Sequence, residues 1–210
     1  MHGNPKARQA WAVDQVMKAL AASEKMGLTA HVTFSGALAW PYVYPWPQRP
    51  AGIVEAAFDE LAARWRPILD HAEEMGVDLC YEIHPGEDLH DGVTFEMFLE
   101  RVGNHPRCGI NYDPSHLIRM GIDPLRFLRE FVGRVYHVHG KDCTIIGENL
   151  YRYGNLQEAT FGKPFAYGGM NWRYTIPGHG QTRWGEAFNI LKSAGFTGVV
   201  SVELEDENFN

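Results

Sequence analysis

RVYHVHGKD, residues 134–142, is the stretch whose reading decides the fold. Val135, His137 and His139 alternate with Tyr136, Val138 and Gly140, so the run reads as a β-strand with His137 and His139 on one face, and Lys141 extends that face. A buried strand in a plain core would finish in Val or Ile and leave polar groups to the turn. This one finishes in His-x-His-x-Lys-Asp. One histidine in such a place is ordinarily a satisfied core imidazole, and it is the rest of the chain that changes the reading.

Three other apolar runs finish in the same way. LCYEIH (79–84) ends on Glu82 and His84, INYDPSH (110–116) on Asp113 and His116, and VVSVELE (199–205) on Glu203 and Glu205. Each is followed by Pro, Gly or an acidic cluster, the punctuation of a strand running into a loop. Carboxylates at the ends of buried strands are costly unless something positive answers them, so a common positive partner is expected.

Helices are expected between these strands. One covers 6–26 and stops at Gly27; a second covers 52–75, interrupted by Pro67 and closed by Gly76. A short helix over 94–102 opens at Thr94, another runs from Asp123 and Pro124 to Phe131, and the last covers 184–194 before Gly195. A strand over 30–35 ends at Gly36. Residues 37–50, with Trp40, Tyr42, Tyr44 and Trp46 among prolines, read as a loop that is either packed by its own rings or forms an aromatic wall for a sugar-like ring. Residues 143–182 read as a long irregular segment, a lid or a partner surface.

Alternating strands and helices, with nearly continuous apolar strands, predict one α/β domain over 1–210 with a parallel sheet covered by helices. Ligand-type residues at the C-terminal ends of successive strands point to a (β/α) TIM-type barrel, because the loops at that rim build the site. A doubly wound open sheet is the alternative, and no G-x-G-x-x-G follows the first strand to support it.

Composition narrows the function. The 210 residues are 45% hydrophobic and carry 19 basic against 26 acidic side chains, a net charge of −7. That balance argues against a nucleic-acid backbone as partner, and no apolar run reaches membrane-spanning length. Cys80, Cys108 and Cys143 are odd in number and far apart, the usage of a reducing compartment, and no signal segment is visible, so a cytoplasmic location is expected.

YEIHPG (81–86), NYDPSH (111–116), HVHGKD (137–142), the IPGHG turn followed by Arg183 and Trp184, and SVELED (201–206) span most of the chain. In that order they resemble the sugar phosphate isomerase/epimerase superfamily, the xylose-isomerase-like barrels that include tagatose 3-epimerase, inosose dehydratase and endonuclease IV. The resemblance implies one divalent metal held by Glu82, Asp113, His139 and Glu203. It places His116, the histidine of Asp-x-x-His, on the substrate, and His2 resembles a family position near it. Counting back from Glu203 as the last of eight strands, 30–35 is the fourth. The first strands and the final helix are therefore expected to be absent, leaving an incomplete barrel of about five full strands whose open edge a second copy or another partner would cover.

Three carboxylates and an imidazole form a hard, oxygen-rich set that suits Mn, Co or Mg better than Zn. Such a metal chelates the carbonyl and neighbouring hydroxyl of a ketose and stabilises the enediolate formed when the adjacent C–H loses its proton. Glu82 and Glu203 are the candidate acid/base pair. His84, Lys141, Arg173 and His179 join His116 as candidate substrate contacts. The expected activity is isomerisation or epimerisation of a keto-sugar or sugar phosphate. A lyase or dehydratase acting on a keto-sugar, keto-glycoside or cyclitol is the alternative, followed by an endonuclease IV-like nuclease or a non-catalytic binding protein.

Overall fold

The structure, a computed structural model, describes residues 4–43, 49–155 and 167–209. His2, the loop residues Tyr44 and Trp46, and Phe161 and Phe165 of the long segment lie outside the described residues. Five strands form a sheet in the order β1-β2-β3-β4-β7, comprising β1 (Ala30–Thr33), β2 (Asp78–Glu82), β3 (Cys108–Tyr112), β4 (Val135–Gly140) and β7 (Val200–Val202). A separate two-stranded ribbon pairs β5 (Asp142–Ile145) with β6 (Trp172–Thr175). The five parallel strands and their helices are the predicted architecture.

The chain forms two compact units. The first comprises Met1–Tyr81 and Gly86–Ile110. Helix α1 (Pro5–Lys25) is capped by Asn4, whose side chain accepts from the Ala7 amide at 3.1 Å, and Gly27 takes the left-handed conformation (φ +70°) that ends it. β1 pairs in parallel with β2, Val32 opposite Cys80. Helix α2 (Ile53–Glu74) buries Phe58, Leu61, Ala62, Trp65, Ile68, Leu69 and Ala72, the stripe that three-and-four spacing dictates. Pro67 does not interrupt it. Pro67 and Ala63 both lie on the exposed face, where water can satisfy the Ala63 carbonyl that the missing N–H leaves free.

Helix α3 (Gly92–Arg101) starts two residues earlier than expected, because Asp91 rather than Thr94 is its cap. Asp91 Oδ1 accepts from the Thr94 amide at 2.8 Å while Thr94 Oγ1 accepts from the Asp91 amide at 3.0 Å, a reciprocal box. Trp65 meets Tyr81, and Tyr81 meets Phe98, edge to face at 4.9 and 5.2 Å between ring centroids, and these rings centre the core of this unit.

The second unit comprises Glu82–Pro85 and Asn111–Asn210. Helix α4 (Pro114–Met120) follows β3 directly, where only a strand end was expected. Helix α5 (Pro124–Phe131) begins at the anticipated Asp123 cap. β4 pairs in parallel with β7, His139 opposite Ser201. Where a long irregular segment was expected, the described residues include regular structure: β5 and β6 pair antiparallel with Cys143 opposite Tyr174, and helix α6 (Gly147–Tyr153) lies between them in the chain. Cys143, Trp172 and Tyr174 are buried with Ile118 and Ile145 packed against them. Helix α7 (Trp184–Ser193) leads into β7. Among the described residues no helix is long and apolar enough to cross a membrane.

Candidate metal centre

Glu82 is the last residue of β2, Asp113 follows β3, His139 lies near the end of β4 and Glu203 follows β7. These C-terminal ends bring one ligand atom from each residue to within 4.8 Å of all the others. Metal–oxygen and metal–nitrogen bonds of about 2.1 Å place opposed ligands about 4.2 Å apart, so shifts of about half an ångström close the set on a cation. His139 Nδ1 lies 3.1 Å from Glu203 Oε2, 3.5 Å from Glu82 Oε1 and 3.9 Å from Asp113 Oδ2.

Asp113 divides its labour. As the cap of α4 it uses Oδ1 to accept from the Ser115 amide at 2.9 Å and the Ser115 hydroxyl at 2.6 Å. Its Oδ2 is left without a hydrogen-bond partner, as are His139 Nδ1 and Glu203 Oε2, although all three are buried. They approach one another and Lys141 at ion-pair distance without being aligned as hydrogen bonds. Buried polar atoms are nearly always satisfied. Three orphaned atoms in one cluster, all of them electron-pair donors in the deprotonated state, fit a divalent cation.

Lys141, 2% exposed, sits beside this cluster with Nζ 3.0 Å from Glu203, 3.3 Å from Asp113 and 3.3 Å from Glu205. With a dication and Lys141⁺, the three carboxylates of the quartet would be charge-balanced. His116, 1% exposed on α4, contacts Glu82 Oε1 through Nε2 at 2.9 Å and Asp113 Oδ2 at 3.3 Å. His84 follows β2 and meets the His116 ring at 4.1 Å between centroids.

The electrostatics follow from these contacts. Burial pushes the Glu82 carboxyl up, but the hydrogen bond from His116 and the close approach of His139 outweigh it and hold the group well below the carboxylate range. His139 holds Glu203 down to about 2, with Lys141 assisting against burial. Burial lowers His139, but Glu203 and Glu82 more than reverse this and raise it to about 10. Asp113 is raised by burial, and burial lowers His116 and His84. Lys141 ends above its usual range because Asp113 and Glu203 outweigh its burial.

Glu82, Asp113, His139, Glu203, His116, Lys141 and His84 are thus brought together. Arg173 and His179 are engaged by the C-terminal residues instead: Arg173 Nε lies 3.5 Å from Glu207, and the His179 ring meets Phe209 at 5.4 Å. Ser115, Arg119 and Tyr174 were not anticipated. Ser115 could have been found from Asp-Pro-Ser, a cap followed by a first turn; Tyr174 carries no local signal at all.

Parallel strands with covering helices and a carboxylate–imidazole cluster at the strand ends define a β/α-barrel protein with a candidate cation site. The chain belongs to the xylose isomerase-like TIM barrel family, whose family model matches residues 1–210. The uncharacterized protein YfiH of Bacillus subtilis (strain 168) is 32% identical over 169 residues, 79% of this chain and 52% of its own length. Inosose dehydratase of Bacillus thuringiensis (strain Al Hakam) is 26% identical over 136 residues, 65% of this chain and 43% of its own. The crystal structure of a D-tagatose 3-epimerase-like protein superposes with a TM-score of 0.65 at 19% identity, covering 97% of this chain and 66% of that one. The chain therefore spans about half the length of the curated relatives it matches.

Proposed function

We propose that this chain carries the metal centre of a sugar-modifying enzyme, and that the reaction is isomerisation or epimerisation of a keto-sugar or sugar phosphate by proton abstraction next to a carbonyl. The observation that carries the reading is the convergence of Glu82, Asp113, His139 and Glu203 with three of their ligand atoms unsatisfied. A divalent ion held by these four would supply Lewis-acid polarisation of the substrate carbonyl. The hard donor set favours Mn, Co or Mg.

The chain's own groups supply the rest. Glu82 and Glu203 are both held ionised at neutral pH, the state a proton acceptor needs. One takes the C–H proton as the substrate passes to the enediolate and, now protonated, can return it to the neighbouring carbon for isomerisation; for epimerisation the other, itself ionised, first takes a proton from water and delivers it to the opposite face while the first releases its own to water. Lys141 is assigned to a substrate oxygen; His116, whose Nε2 faces Glu82 at 2.9 Å, is assigned to the substrate through the same N–H, shared with that carboxylate. His84 lines the same side through its ring contact with His116. Arg173 and His179, which meet Glu207 and Phe209, would have to leave those partners to join the proposed substrate contacts.

The test is a metal-stripped sample, reloaded with Mn, Co, Mg or Zn and offered a ketose panel in deuterated water, with products followed by NMR. Expected are loss of turnover on chelation, restoration by Mn or Co, and one deuterium exchanged into the product without loss of a group. Full turnover in the chelated sample refutes the reading. Elimination is the second reading, favoured by the inosose dehydratase relative; a product lighter by one water identifies it.

The reading carries a small-molecule sugar as partner, with neither nucleic acid nor membrane, and a cytoplasmic setting in keeping with three free, buried cysteines. We further propose that the edge at β7, where Val200 is 36% and Val202 65% exposed, is covered by a second copy or another partner, which light scattering on the purified chain checks.

A further inference from the structure

We propose that Tyr174 is a positioning residue for Glu82, acting through His116; the inference rests on the reading of the metal centre above. Tyr174 is 7% exposed and its hydroxyl lies 2.7 Å from His116 Nδ1. The other ring nitrogen, Nε2, lies 2.9 Å from Glu82 Oε1. The phenol and imidazole planes meet at 90° with centroids 5.2 Å apart.

Counting donors fixes the direction of this chain of groups. An ionised Glu82 can only accept, so His116 Nε2 carries the proton and donates it. Among the described residues the Tyr174 hydroxyl meets no acceptor other than His116 Nδ1, and the Arg119 guanidinium, whose Cζ lies 4.1 Å from the centroid of the Trp172 ring, can only donate. The one phenolic proton of Tyr174 is therefore directed at His116 Nδ1. Tyr174, His116 and Glu82 form one polarised sequence in which every link has a single donor.

Two consequences follow for the metal centre. Tyr174 fixes His116 as the Nε2–H tautomer, which orients the Glu82 carboxylate and leaves no Nε2 lone pair with which His116, 3.3 Å from Asp113 Oδ2, could act as a fifth ligand. The face of the same phenol ring lies 4.7 Å from Lys141 Nζ, so one side chain also steadies the ammonium that contacts Asp113 and Glu203. Tyr174 can hold both because it sits on the β5–β6 ribbon opposite Cys143, in the buried cluster with Trp172, rather than on a loose loop.

The test uses the full chain with ¹⁵N-labelled histidine, stripped of metal. Long-range ¹H–¹⁵N spectra should show one ring, assigned by its loss in His116→Gln, as the Nε2–H tautomer with a hydrogen-bonded Nδ1. Tyr174→Phe should remove that Nδ1 hydrogen-bond signature, while Glu82 still holds the proton on Nε2. It should also weaken Mn²⁺ binding by about 10- to 100-fold, the usual effect of losing a group that orients a ligand. Tyr151→Phe, at a site 80% exposed, should move neither. The inference is overturned if Tyr174→Phe keeps the wild-type His116 spectrum, or keeps wild-type Mn²⁺ affinity. A wild-type chain that binds no Mn²⁺ refutes the metal reading instead, and the metal-free tautomer spectrum still decides the role of Tyr174.

Discussion

Loading the metal-stripped chain with Mn²⁺ should release protons, and the structure says how many. With the quartet free of metal, His139 is raised to about 10 by Glu203 and Glu82, so at pH 7.5 its protonated form outnumbers the neutral form by about 300 to 1. A metal at Nδ1 must displace that proton. Glu203, held at about 2, has none to give, and Glu82 is likewise ionised. Asp113 is raised by burial, and whatever proton it carries can only add to the count. Titration calorimetry at pH 7.5 in two buffers of different ionisation enthalpy should therefore give at least about one proton released per Mn²⁺. The apparent affinity should rise about tenfold, or about 1.4 kcal/mol, for each pH unit between 6 and 8. His139→Gln should flatten that slope. A proton count near zero, or an affinity independent of pH in the wild type, would refute the reasoning.

The same shift predicts a stability effect in the metal-free chain. His139 has a folded value of about 10 against 6.5 unfolded, so its contribution is complete below pH 6.5 and is lost as pH rises through about 10. The Tm difference between wild type and His139→Gln should be largest at pH 6 and close toward pH 10 in melts of chelated samples. Glu203→Gln and Glu82→Gln should each lower turnover by about 10²- to 10⁴-fold, and deuterium exchange into unreacted ketose should fall with it. Asp142→Asn should destabilise the fold in urea titrations by about 1–3 kcal/mol for each N–H left facing the new amide nitrogen.

The sequence made the strand ends legible because each carries its own punctuation: apolar run, ligand-type residue, then Pro or Gly. Gly27 and Gly76, both at positive φ, and the Asp123–Pro124 pair marked helix ends for the same local reason. Asp113–Pro114 is the identical cap signal, yet it was read only as a strand end, and α4 was missed. One aspartate does both tasks because a carboxylate has two oxygens. The β5–β6 ribbon was hidden for a different reason: its partners, Cys143 and Tyr174, are far apart in the chain, and antiparallel pairing over such a separation leaves no local periodicity strong enough to announce it. Tyr174 was lost with it. Pro67 misled because its effect depends on which face of α2 it occupies, and only packing reveals that.

What separates the structural carboxylates of this chain from those of the candidate site is where their lone pairs go. Asp142 is fully buried, yet Oδ1 accepts from the amides of Cys143 and Thr182 at 2.9 Å, and Oδ2 from the Gly178 amide at 3.0 Å and Trp184 Nε1 at 3.1 Å. A Cβ at Gly180 would collide with it, so that turn is built around the carboxylate. Asp88, also fully buried, accepts from the amides of Leu38, Ala39 and Trp40 and so fixes the start of the aromatic loop. Neutral N–H donors saturate both, and neither needs a cation. Asp113 Oδ2 and Glu203 Oε2 are as deeply placed and have no such donors. Among the described residues the groups facing them are Lys141, the His116 ring and His139, a histidine that must surrender its proton to become a ligand. Burial alone would have marked Asp142, Asp88 and Asp113 alike and passed over Glu203, whose side chain is 34% exposed; the accounting of lone pairs assigns two of the four to architecture and two to chemistry.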